Sequence, residues 1–188
     1  MALARWLWRR DQGTLEPSRL VFVDETGTAT NMVPRYGWAH SGERVTMGAP
    51  HGSWVRTTFV AGLTESAIIA PLVLDGSMNA RAFEAWVERA LIPALPERAI
   101  VVMDNLSSHK GARVCELLAG AGAEALYLPP YSPDLNPIEQ AFAKLKHLLR
   151  AARRRTSEAL WKEIGSLLER FEPAECANYL RNSGYCCN

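Results

Sequence analysis

Ala99-Ile100-Val101-Val102-Met103-Asp104-Asn105 is a near-continuous apolar run of strand length closed by a carboxylate. A run of this kind, without Gly or Pro, reads as an interior strand covered on both faces. Strands covered on both faces are typical of parallel sheets, where neighbours are joined by helical crossovers. Upstream, Phe83, Trp86, Val87, Ala90 and Leu91 recur at helical spacing and predict a helix over 79–91, ended by Pro93 and Pro96. Downstream, a helix from about Lys110 to Ala119 leads to a strand from Ala125 to Leu128. The loop Pro129 to Pro137 then launches a helix at Ile138.

Further toward the amino terminus the period changes. Leu20-Val21-Phe22-Val23-Asp24 is a buried-strand pattern ended by the turn residues Thr26-Gly27-Thr28. Tyr36 to Ala39, Val55 to Leu63 and Ala67 to Leu74 are further strands, separated by Ser41-Gly42, His51-Gly52 and Thr64-Glu65-Ser66 as in an antiparallel meander. A meander followed by helix-linked strands predicts an α/β fold, with a mixed central sheet of antiparallel and parallel strands flanked by helices. No internal repeat or low-complexity tract interrupts it.

Composition sets the bounds. The 188 residues are enough for one core, and 21 Lys+Arg against 20 Asp+Glu leave a formal net charge of +1. Any polyanion-binding surface is therefore local. No apolar run approaches the roughly 18 residues needed to span a bilayer, and Arg5, Arg9 and Arg10 break the opening segment, so a cytoplasmic protein is expected. Cys115, Cys176, Cys186 and Cys187 form no CxxC pair and have no His-rich partner segment, which argues against structural zinc. Trp38, Trp54, Trp86 and Trp161 are expected as packing residues rather than base-stacking platforms.

Asp24 and Asp104 each close a predicted strand, and Glu139 falls in the first turn of a predicted helix. Ligands collect in the crevice beyond strand ends in open α/β sheets. Alternation puts Leu20, Phe22 and Asp24 on one face and Val21, Val23 and Glu25 on the other, so only one of the adjacent acids faces such a crevice. Converging carboxylates repel one another unless a divalent cation neutralises them, and Mg²⁺ or Mn²⁺ prefers oxygen ligands. Two such ions support in-line phosphoryl displacement. Each acid also has a plain structural reading: Asp24 as a turn former, Asp104-Asn105 as a turn with Ser107 or Ser108 capping the next helix, and Asn136-Pro137-Ile138-Glu139 as a capping box.

The phrases around these acids bear on that choice. Phe22-Val23-Asp24-Glu25-Thr26, Val101-Val102-Met103-Asp104-Asn105 and Tyr131-Ser132-Pro133-Asp134-Leu135-Asn136-Pro137-Ile138-Glu139 together resemble the insertion-sequence transposases related to mariner, within the DDE superfamily. The resemblance runs from about Leu20 to Asn182-Ser183-Gly184-Tyr185, and the 34 residues between Asp104 and Glu139 match the family's spacing. It implies a ribonuclease H-like fold, Asp24, Asp104 and Glu139 as the metal-binding catalytic triad, and two Mg²⁺ or Mn²⁺ ions. It also implies double-stranded DNA as partner, at the element ends and at a TA target. The helix-turn-helix region of such transposases is missing upstream. Residues 1–18 are accordingly assigned as a linker or remnant of that region, and 19–188 as the catalytic domain with its C-terminal helices. A homodimer and a separately encoded helix-turn-helix protein are the partners left open.

Gln140 to Ser157 holds six Lys/Arg and no acid. Lys146, Arg150 and Arg153 share a helix face with Glu139, whereas Ile138, Phe142, Leu145 and Leu149 form the core stripe. This basic face is expected to guide a DNA backbone, against the alternative of a solvated helix face. His109, five residues after Asp104, is a further candidate for phosphate contact or for local capping. Three functions compete: a transposase catalytic domain, a stand-alone nuclease on the same fold, and a catalytically incompetent DNA-binding or regulatory fragment.

Overall fold

The computed structural model describes residues 2–48, 50–52, 54–105 and 111–185. His109, Lys110, the capping candidates Ser107 and Ser108, and Cys186 and Cys187 lie outside them.

A five-stranded sheet with the order β3-β2-β1-β4-β5 forms the centre. Strand β1 (Leu20–Ala29) pairs antiparallel with β2 (Arg56–Leu63), and β2 with β3 (Ile68–Asp75). On the other side β1 pairs parallel with β4 (Ile100–Met103), and β4 with β5 (Glu124–Tyr127). This is the expected mixed sheet, with meander and crossover halves meeting at β1.

Alternation along β1 and β4 divides two cores. Leu20, Phe22 and Val102 face one layer with Phe59, Ile138, Phe142, Leu145 and Leu149, and Val21, Val23, Val101 and Met103 face the other with Phe83, Trp86, Val114 and Leu118. The first layer is covered by α5 (Ile138–Ala152), α6 (Ser157–Leu168) and α7 (Pro173–Asn182), and the second by α2 (Ala80–Trp86) and α4 (Ala112–Gly120). Phe59 and Phe142 meet edge to face at 5.7 Å, which welds α5 to the sheet.

Three expectations change. First, β1 does not stop at Asp24. Thr26 and Thr28 are buried β-branched residues that keep the ladder to β2 running to Ala29, and Thr28 bonds Thr57 at 2.7 Å. Second, Tyr36–Ala39 forms no strand. Pro34, Gly37 and Gly42 interrupt the segment, and Tyr36 and Trp38 are fully exposed, so Trp38 is no packing residue. Trp54 is half exposed and Trp86 buried. Third, the helix begun by α2 passes through a π-helical turn (Val87–Leu91) into a last turn, α3 (Ile92–Ala94). Pro93 lacks the N–H that would continue the α ladder, and Ile92 instead donates to Val87.

Within residues 1–18, expected as a linker or remnant of an upstream region, residues 2–11 form a helix. α1 (Ala2–Asp11) is docked by Trp8, whose indole donates to the Tyr185 hydroxyl at 2.9 Å, and by Gln12, which donates to Ser183 O at 3.2 Å. Among the described residues no helix is long and apolar enough to cross a membrane.

The carboxyl end closes with a Schellman motif: Tyr185 N–H bonds Leu180 O while Gly184 N–H bonds Arg181 O. Gly184 has φ +90°, and a Cβ there would collide with the Gln12 amide. The turn delivers Tyr185 into the core, its ring tilted against Phe22 with centroids 4.7 Å apart. Gly184→Ala is expected to lose about 2 kcal/mol from backbone strain alone. Urea unfolding reads this out, and an unchanged midpoint would contradict the packing described.

Candidate active site

The parallel register aligns Phe22 with Val102 and Val23 with Met103. The next residues are Asp24, inside β1, and Asp104, just past the end of β4. Where β4 stops, β1 loses its neighbour on that side, and a cavity of about 370 Å³ opens. Asp24, Asp104, Asn105, Ser132, Asn136 and Glu139 are among its lining residues. All three acids singled out from the sequence therefore reach one space, from β1, the β4 exit and the first turn of α5. Glu25 alternates away, as expected.

Burial differs among the three. Asp24 is 8% exposed and Asp104 partly exposed, whereas Glu139 stands in the open mouth. The buried carboxylate is held on both oxygens: Glu25 N–H donates to Oδ1 at 2.7 Å, and Asn136 Nδ2 donates to Oδ2 at 2.8 Å. A carboxylate oxygen has further lone pairs, so both remain competent to bind a cation.

That second bond removes a rival reading. The expected capping box is not formed: the residue before α5 is Pro137, no side chain caps the helix, and Glu139 N–H bonds the backbone oxygen of Asn136. The Asn136 side chain is spent on Asp24 instead. Its Oδ1 is buried without a hydrogen-bond partner.

The loop before α5 is held from outside by α1. Arg5 forks across Asp134 at 2.9 and 2.8 Å and also donates to Ser132 Oγ and Tyr131 O, while Arg9 reaches the same carboxylate at 2.9 Å. Tyr131 itself sits at φ 55°, a strained conformation fixed by this network. From the core side, the Tyr185 hydroxyl donates to Leu135 O at 2.7 Å. The sequence reading missed Arg5, Arg9 and Asn136. A signal was present in the i, i+4 spacing of the two arginines and in an Asn lying between Leu135 and Pro137.

The donor set suits a hard divalent cation. Asp24, Asp104 and Glu139 offer only oxygen, and among the described residues the cavity is lined by neither Cys nor His. Among the described residues, no three acidic, His or Cys side chains are gathered closely enough to enclose a single ion. A two-ion arrangement asks less, since each ion needs only some of the carboxylates.

Of the basic residues expected on the face of α5, Lys146 and Arg150 line a separate cavity farther along the helix. Arg153 departs from that face. It takes the left-handed position at φ 49° that ends the helix, and its guanidinium turns to Met47 Sδ.

An acid-lined cavity at the strand exits of a mixed α/β sheet suits the class of metal-dependent enzymes acting on phosphodiester bonds. A family model for the DDE superfamily endonuclease matches residues 19–161, and the chain belongs to that family. No curated protein sequence matches the chain. Among solved structures, the Mos1 strand transfer complex superposes with a TM-score of 0.78 at 21% identity, covering 96% of this chain and 56% of that one. The Mos1 mariner paired-end complex with Mg gives 0.76 at 21%, covering 95% and 59%. The isolated catalytic domain of Mos1 mariner transposase gives 0.71 at 20%, covering 97% and 85%. The fold is therefore ribonuclease H-like, and the chain spans a little over half the length of the full Mos1 chains it matches.

Two outcomes follow from this geometry. Asn136→Ala removes a charge-assisted donor from a buried carboxylate and is expected to cost roughly 1–3 kcal/mol by urea unfolding; a loss below measurement error would mean that the bond is dispensable. Asp134 is held down at about 2 from an ordinary 3.8, chiefly by the hydrogen bond from Arg5. A lowered carboxyl pKa stabilises the docked state above its unfolded value and loses that contribution as pH falls through the folded one. Amide protection over residues 2–11, corrected for intrinsic exchange, should accordingly fall as pH drops from about 4 toward 2, and Arg5→Ala should weaken that dependence, leaving the Arg9 contact.

Proposed function

We propose that this chain is the catalytic part of a DNA transposase, cutting double-stranded DNA at element ends and joining the freed strand to a target. Asp24, Asp104 and Glu139 are its catalytic acids and metal ligands. One observation carries the reading: three acids far apart in the chain line one cavity, and the most buried of them is oriented by donors on both oxygens. The matching structures are of Mos1 strand-transfer and paired-end complexes, the latter with Mg or Mn, which supports the same chemistry for this chain.

The three acids would hold two Mg²⁺ or Mn²⁺ ions, which when bound activate the attacking oxygen and stabilise the leaving one of an in-line displacement. Asn136 and the Glu25 amide hold Asp24 in one orientation, so little reorganisation is needed when a cation arrives. Glu139, on the first turn of α5, stands at the open side of the cavity. Burial of the β1 and β4 ends fixes the spacing of the two aspartates against a rigid core.

Residues 19–188 form the catalytic unit in this reading, and 1–18 lead from an upstream recognition region. Partners are element-end DNA and a TA target, with a second copy of the chain or a separately encoded helix-turn-helix protein supplying end recognition. The enzyme works in the cytoplasm, at the nucleoid.

The test is a Mg²⁺-dependent cleavage and strand-transfer assay on element-end duplexes. Asp24→Ala, Asp104→Ala or Glu139→Ala should each lower cleavage by roughly 10³-fold or more, as should chelation of the metal. Full cleavage by Asp104→Ala would refute the assignment. Hydrolysis products without joined strands would leave a nuclease in place of a transposase.

A further inference from the structure

The six basic residues between Gln140 and Ser157 do not do one job. Lys144 is paired with Glu175 and Arg154 with Glu163. Arg155 donates to the backbone carbonyls of Thr30 and Met32 at 2.9 and 3.0 Å, and Arg153 reaches Met47 Sδ. Lys146 and Arg150 remain. Among the described residues neither has a carboxylate partner, and both line a second cavity of about 520 Å³.

Two more cations complete that cavity: Arg35, from the segment between β1 and β2, and Arg56, the first residue of β2. Four cations thus share one basin whose lining includes no Asp or Glu, together with the hydroxyl residues Thr57, Thr58 and Ser77. Like charges do not gather without cause. Arg150 is held below the ordinary arginine range by burial and then by the facing Arg35 guanidinium, the mark of a site that lacks its counter-charge. The arrangement is also held in place, because the two Arg155 bonds tie the segment leading to Arg35 back to the end of α5.

We propose that Arg35, Arg56, Lys146 and Arg150 form a phosphate-binding basin that grips the backbone of duplex DNA beside the acid cavity. The assignment rests on reading that cavity as a DNA-cutting site. At 1.5 Å rise per residue, Lys146 and Arg150 lie roughly 10 and 16 Å along α5 from Glu139. That distance is about three to five base-pair steps of B-DNA, so one duplex can span both cavities. Guanidinium forks suit phosphate oxygens, and the basin makes no use of base edges, so its contribution is independent of sequence.

The experiment measures binding of a fluorescent duplex of arbitrary sequence in EDTA, across a salt series. Each phosphate contact contributes about 0.9 to the slope of log K against log salt, so Lys146→Glu with Arg150→Glu should lower the slope by about two and weaken binding at least ten-fold at moderate salt. Arg35→Ala and Arg56→Ala should each lower it by about one. Lys162→Glu, the same charge change as either single substitution but on α6 outside the basin, should change neither beyond two-fold. Unchanged binding by the double variant with its fold intact would overturn the proposal, as would an equal loss from Lys162→Glu. Millimolar orthophosphate that raises the unfolding temperature of the wild type without displacing duplex would assign the basin to a small anion and overturn it too. Because the readout needs no metal, a failure of cleavage leaves this result standing, and a failure of binding leaves the acid cavity untouched.

Discussion

The parallel pairing of β1 with β4 is the constraint on which the site depends. Its register brings Val23 beside Met103, both completely buried, so the residues that follow emerge together where β4 ends. The antiparallel ladder with β2 continues past that point to Ala29 and keeps the β1 backbone rigid under Asp24. One carboxylate is therefore fixed by a strand on one flank and exposed to a cavity on the other. A one-residue slip would turn every side chain of β1 over and send Asp24 into the opposite core.

Glu139 is placed by a different kind of constraint. Its helix is positioned by the apolar stripe Ile138, Phe142, Leu145 and Leu149, and the loop ahead of it by polar contacts from three directions. Asn136 ties that loop to β1, Tyr185 ties it to the core, and Arg5 ties it to α1. The polar network is small, and it joins the approach to Glu139 to the acid of β1, while the apolar layer spans β1, β4 and α5 together. Its charged members face solvent, where ion pairs contribute little, whereas the Asn136–Asp24 bond is buried and cannot be replaced by water.

Much of this was legible in the chain itself. Short apolar runs with a carboxylate after them, Val101 to Asp104 above all, identify buried strands by composition, and alternation along Leu20 to Asp24 named the face on which the acid lies. The departures have physical causes. Thr26 and Thr28 look like turn residues one at a time, but paired against Phe59 and Thr57 they extend the strand. Asn136 followed by Pro137 has the form of a helix cap, and only the tertiary position of Asp24 redirects its amide. Tyr36 and Trp38 have strand-forming side chains but no sheet edge to join. Arg35 and Arg56 reach the α5 basin only through the fold, since no local pattern links them to Lys146.

The engagement of Tyr185 with both Trp8 and Leu135 has a mechanical consequence. It gives α1 and the turn at Pro133–Leu135 a common anchor in the core, alongside the Arg5 fork to Asp134. The approach to Glu139 and the amino-terminal helix therefore share one buried hydroxyl, whereas Asp24 and Asp104 are held by the pairing of the sheet.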